Sequence, residues 1–228
     1  ERFFGSSLHS PLRHFSETQL PARHYITVTA QAGGYSIDFN GENSAEGLSY
    51  DRAIMRFLAL LNEATVRESK YLMVHAGAVA RSGRVLAFPG RKRSGKSTVV
   101  AAFLSGRFSY VTDEAVGIEP NTGKVIAYPK PLWLTDTSLE LLGVDHREVP
   151  THIEGRLKSP VLPEVLHGAV AHNDLVLQNI IFLENTNDDQ TLLPVSPAET
   201  ALRLLRHSFN RSKEPEAWFH LVSEVVRE

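Results

Sequence analysis

Gly90-Arg91-Lys92-Arg93-Ser94-Gly95-Lys96-Ser97-Thr98 lies between an apolar run, Arg84 to Phe88, and a segment with helical spacing. It fits the pattern G-x-x-x-x-G-K-[ST], and each residue type has a physical reason. Two glycines let the backbone curl so that successive N–H groups point inward at phosphate oxygens. Lys96 puts a point charge on the outer phosphates, and the Ser97 hydroxyl is a magnesium ligand. A helix starting here adds its positive end to the same anion. Chance produces such a string in about one chain of this length in a hundred, so the flanking segments decide its meaning.

Those segments favour a mixed α/β fold. Tyr71 to Ala80 is apolar and strand-like, Ser82-Gly83 supplies a tight turn, and Arg84 to Phe88 runs into the loop. The loop strand therefore has an antiparallel neighbour, whereas a doubly wound nucleotide fold brings parallel neighbours through helical crossovers. Lys96 to Leu104 is the expected helix, burying Val99, Val100 and Phe103 and ended by Gly106. Phe108 to Thr112 reads as a strand finishing on Asp113-Glu114. A hairpin follows, with Ala115 to Glu119 and Lys124 to Tyr128 joined by Pro120-Asn121-Thr122-Gly123.

The flanks are read more coarsely. Residues 1–22 suggest an irregular arm anchored by Phe3, Phe4 and Phe15. His24 to Ala30 and Tyr35 to Phe39 form a hairpin around Gly33-Gly34, and residues 51–66 an amphipathic helix with Ile54, Phe57, Leu58, Leu61 and Ala64 on one face. Asp136 to Leu142 is a short helix closed by Gly143. Residues 145–174, rich in His, Pro and charge, are expected to be long and partly mobile. Gln178 to Leu183 reads as a buried strand, and Asn185 to Gln190 as a polar turn. Ser196-Pro197-Ala198-Glu199 starts a helix with Leu202, Leu205 and Phe209 on its apolar face. A last helix near Pro215 carries Trp218, Leu221, Val222, Val225 and Val226. With no repeat or linker, one domain over 1–228 is expected, with 1–66 as an N-terminal subregion and 67–228 as the catalytic core.

Bulk properties exclude several classes. The net charge of −2 provides no basic field for nucleic acid or anionic membrane. The chain has no cysteine, hence no disulfide, thiolate nucleophile or Cys-based zinc site, which fits a cytoplasmic protein. No apolar run approaches the roughly 20 residues that span a bilayer, and no signal-peptide core opens the chain. His167 and His172 are too loosely spaced for a zinc site.

Two features beside the loop carry chemistry. Asp113-Glu114, at the end of the strand after the loop's helix, can hold magnesium or take a proton from an attacking hydroxyl; it also has an ordinary reading as a solvated turn. His75 lies in the strand paired with the loop strand, where a lone histidine is commonly a satisfied core residue. The run V-H-A-G-A-V-A-R-S-G-R-V-L-A-F-P-G-R-K-R-S-G-K-S-T, followed by F-S-Y-V-T-D-E-A-V-G-I, resembles the catalytic domain of HPr serine kinase/phosphorylase. It is closer to the HPr-kinase-related proteins, some of which accompany peptide-modifying pathways. The resemblance covers roughly residues 71–134, including Y-P-K-P-L at 128–132.

That resemblance implies the hairpin-fed phosphate-loop fold shared with phosphoenolpyruvate carboxykinases. It implies ATP and Mg2+ as reactants, with Lys96 and Ser97 as the loop lysine and serine and His75 as the histidine before the loop. Asp113 then resembles the catalytic base and Glu114 a metal ligand, and Lys130 a residue that touches phosphate. The family's usual pair is Asp-Asp, so Glu114 reaches one methylene further. Its loop interior is usually small and apolar, where this chain has Arg-Lys-Arg. The expected activity is transfer of the γ-phosphoryl group to a hydroxyl, a serine of a peptide or small protein, with catalytic residues Asp113, His75 and Lys96. Nucleotide-binding residues are Gly90, Arg91, Lys92, Arg93, Ser94, Gly95, Lys96, Ser97 and Thr98. The alternatives are a nucleotide-binding switch or assembly protein without kinase activity, and a kinase of a small-molecule hydroxyl. Self-association is a further implication of the resemblance.

Overall fold

The computed structural model describes residues 23–119, 122–145, 149, 158–172, 174–184, 191–209 and 215–226. The expected arm at 1–22 and the turn at 185–190 lie outside the described residues, as do Pro120-Asn121 and most of 146–157. The chain divides into two compact units, residues 1–68 and residues 69–228.

The first unit is a meander of β1 (Ile26–Gln31), β2 (Gly34–Phe39) and β3 (Glu42–Leu48), followed by α1 (Tyr50–Glu68). The third strand was not anticipated, yet its signal is local. Asn40 and Gly41 both have positive φ, 55° and 84°, the conformation of a two-residue hairpin turn that Asn-Gly favours. The helix buries Ala53, Ile54 and Leu60, and Ile37 of β2 meets Ala53 and Leu60 in the unit's core with Val28, Phe39 and Phe57 around them. Its inward face is thus rotated from Leu61 toward Leu60.

The second unit is mixed α/β. Its elements in order are β4 (Leu72–Arg81), β5 (Arg84–Pro89), α2 (Lys96–Ser105), β6 (Ser109–Thr112), β7 (Ala115–Ile118), β8 (Val125–Ile126) and β9 (Leu132–Leu134). Then come α3 (Asp136–Leu142), β10 (Ser159–Val161), a 3-10 turn (Pro163–Leu166), β11 (Val176–Ile180), α4 (Pro197–Arg206) and α5 (Pro215–Val225). The main sheet runs β11-β5-β4-β7-β8, with β6 also pairing β4. β4 and β5 are antiparallel around Ser82-Gly83, whose φ values of 52° and 77° make the expected tight turn. β11 adds in parallel on the far side of β5.

β4 reads as a nearly continuous apolar run because both of its faces are covered. Leu72, Val74, Ala76, Ala78 and Ala80 pack with Leu204 of α4 and Trp218 and Val222 of α5. The alternate residues face α2, where Val79 joins Phe88, Val100, Ala101 and Leu104. Gly77 permits that packing: a Cβ there would sit 2.7 Å from a Val100 methyl.

Several expectations change. Within 145–174, Ser159–Val161 pairs with Leu132–Leu134, and Pro163–Leu166 forms a helical turn, so the described part of that segment includes regular structure that its composition did not suggest. β11 begins two residues earlier than expected and is an edge strand, with Val176 exposed, so it does not show the burial that its apolar composition suggested. α4 has the expected Ser196 cap, whose hydroxyl accepts from Glu199 N–H, but it ends at Arg206. Leu204 is its buried residue, Leu202 is half exposed, and Phe209 lies beyond its end.

Candidate active site

The site is built on the two edges of β4. One edge pairs with β7 along Leu72–His75 and with β6 along Ala78–Ala80. The interruption between them is Asp113-Glu114, pinned where Ala76 N–H donates to the Glu114 carbonyl at 3.2 Å. On the opposite edge β5 ends at Pro89, which has no N–H to continue a ladder. Gly90 N–H still donates to the His75 carbonyl at 3.3 Å, and the chain then departs as the loop. The edge it vacates is taken by the segment after α4: His75 N–H donates to the His207 carbonyl at 2.7 Å, and Phe209 N–H to the Met73 carbonyl at 2.9 Å. The midpoint of β4 therefore has the loop on one side and the acidic pair on the other.

Lys96 organises the loop interior. It is only 5% exposed, and its Nζ donates to the carbonyls of Gly90 at 2.9 Å and Arg91 at 2.7 Å. Burial lowers its pKa to about 8, Asp113 opposes that shift, and Lys158 adds to it. Gly95, with φ 86°, caps α2 without a side chain, so the first-turn N–H groups face the loop. Arg93 also has a positive φ, 70°, the αL conformation that costs a non-glycine residue roughly 1–2 kcal/mol. The Ser94 hydroxyl is buried without a hydrogen-bond partner. A Cβ on Gly90 would come within 2.6 Å of that oxygen, so the glycine keeps the cradle open.

The two acids are held differently. Asp113 is 7% exposed and accepts from Ser97 Oγ at 3.2 Å and Trp133 N–H at 3.3 Å on Oδ2, and from Tyr110 OH at 3.2 Å on Oδ1. Tyr110 OH also reaches the Lys130 carbonyl at 2.7 Å. Burial raises the Tyr110 pKa well above its ordinary value and the adjacent Asp113 adds to that, so it stays a neutral donor. Glu114, by contrast, forms an ion pair with the Lys130 ammonium, and its side chain is partly exposed. Burial lowers the Lys130 pKa, against an opposing pull from Asp113.

His75 lies on the α2 face of β4, its ring 5.3 Å from that of Phe209. Burial lowers its pKa to about 4, with further lowering by Lys96, His207, Lys130 and Lys92, so the imidazole is neutral at pH 7. His207 is lowered as well, by burial and then by Lys96, Arg91 and Arg206. The Thr98 hydroxyl lies 2.9 Å from that of Ser138 in α3.

His75, Lys96, Ser97, Asp113 and Glu114 thus converge from separate stretches, while Arg91, Lys92 and Arg93 stand exposed on the loop crest. Sequence reasoning missed Tyr110, Lys158 and His207. A tyrosine in a fully buried strand needs a partner for its hydroxyl, which could have pointed to Asp113 three residues on. His207 carried no signal, because the end of α4 brings it there.

The donor set suits magnesium. Ser97 Oγ and the Asp113 carboxylate are hard oxygens close together, and Mg2+ takes one or two carboxylates while drawing its other ligands from phosphate and water. The Ser94 hydroxyl, buried without a hydrogen-bond partner, suits a phosphate oxygen. Among the described residues, no helix is long and apolar enough to cross a membrane. No family model, curated protein or solved structure matches this chain.

Proposed function

We propose that this protein is an ATP- and magnesium-dependent kinase of the kind that HPr serine kinase represents, with the phosphate-loop fold that the resemblance implies. It transfers the γ-phosphoryl group to a hydroxyl, a serine of a peptide or small protein. The observation that carries the proposal is the Ser97–Asp113 hydrogen bond, which joins the phosphate loop to the acidic pair across the sheet. Lys96 and the loop amides bind the outer phosphates, and the ammonium leaves the Gly90 and Arg91 carbonyls to do so. Ser97 and Asp113 would hold the magnesium, which when bound neutralises charge on those phosphates. Glu114, partly exposed and beside Lys130, takes the proton of the acceptor hydroxyl, a contribution of about 10²–10⁴-fold for a positioned base. Neutral His75 hydrogen-bonds the acceptor or the transferred group. These roles for the two acids reverse the order that the family resemblance implies.

The experiment is transfer of labelled γ-phosphate from ATP to a degenerate pool of serine peptides, with ATP binding measured in parallel. Asp113→Asn is expected to lose magnesium-dependent ATP binding and transfer together. Glu114→Gln is expected to keep binding and lose transfer by at least about 10²-fold. Label that appears only as free phosphate, with both variants behaving as wild type, contradicts the kinase reading.

A further inference from the structure

Arg91, Lys92 and Arg93 are among the expected nucleotide-binding residues, but the proposed chemistry uses only the backbone of this crest and not its side chains. The loop turns its amides and Lys96 inward and leaves these three side chains exposed. They are therefore accessible to whatever covers the loop. The neighbouring surface is defined by backbone contacts. Gly90, just before the crest, bonds the carbonyl of His75, and His75 bonds the carbonyl of His207. Phe209, 43% exposed, lies against the His75 ring. Crest, histidines and aromatic ring are thus neighbours, a ledge beside the loop.

The charge of that ledge is one-sided. Lys96 is engaged with loop carbonyls, and the two acids of the site are engaged with Ser97, Tyr110 and Lys130. Among the described residues, no carboxylate is paired with Arg91, Lys92 or Arg93. Three adjacent cations on a chain of net charge −2 suit a short anionic segment.

We infer that the acceptor is an acidic peptide segment, whose carboxylates next to the phosphorylated hydroxyl are read by Arg91 and Lys92 while an apolar neighbour rests on Phe209. The inference rests on the kinase reading for the identity of the site, but its test does not depend on turnover. Fluorescent serine peptides carrying either glutamates or glutamines around the serine are titrated onto the protein with ATP and magnesium, and followed by anisotropy. The glutamate peptide should bind about tenfold more tightly, the sum of a few exposed ion pairs, and the preference should shrink with salt. Arg91→Gln/Lys92→Gln should bring the two affinities together. Equal binding of the two peptides by the wild type overturns the inference, as does a preference that survives in the double variant. Phosphate transfer in the same tubes keeps the two claims apart. A glutamate preference without label leaves the acidic ledge standing and removes the kinase. Label on both peptides at equal affinity does the reverse.

Discussion

At the residue scale, one strand position governs two elements. His75 anchors the loop through its carbonyl and the chain after α4 through its N–H, while its ring lies against Phe209. Its folded pKa, near 4, is below the unfolded value near 6.5, so the unfolded state binds the extra proton between those values. The stability that neutral His75 contributes is present above about pH 6.5 and is lost as the pH falls toward 4; His207, shifted in the same direction, adds to this. Thermal melts from pH 7 to 4 should show a falling midpoint, and His75→Asn should flatten the fall. An unchanged slope in the variant would assign the acid sensitivity to other groups.

At the element scale, the sheet works by letting helices come close. Gly77 is where β4 admits the first turn of α2, and with it Lys96 and Ser97. Gly77→Ala drives a methyl group against the stiff β-branched Val100, an overpacking that costs typically about 1–3 kcal/mol. Denaturant unfolding should show that loss, together with weaker ATP binding as α2 is pushed outward. A neutral effect would mean that the strand and helix are less tightly apposed. Local chemistry explains which elements were foreseeable. The Ser82-Gly83 turn, the Ser196 cap and the Gly143 stop depend on neighbouring residues, and each is where the sequence predicts it. Asn40-Gly41 was equally local and was overlooked. β9 and β10 are three residues each, and their pairing is set by distant chain, so composition alone could not expose them.

At the scale of the whole molecule, a mixed α/β core was readable from the hairpin feeding the loop. The chain divides at residue 68, two residues from the boundary expected between the N-terminal subregion, 1–66, and the rest, 67–228. The five residues that meet at the midpoint of β4 were each visible as types. Their arrangement was not, because it depends on β6 and β7 sharing one edge of β4 and on the segment after α4 filling the other. On the proposal made above, that arrangement lets the loop and Asp113 act as a single magnesium–nucleotide site. Calorimetric titration of ATP tests this most directly, with and without magnesium, on the wild type, Lys96→Ala and Ser97→Ala, each checked for native circular dichroism. The account predicts magnesium-dependent binding by the wild type, no binding by folded Lys96→Ala, and loss of the magnesium dependence in Ser97→Ala. ATP binding that is absent in the wild type, or as strong in Lys96→Ala as in the wild type, would contradict it.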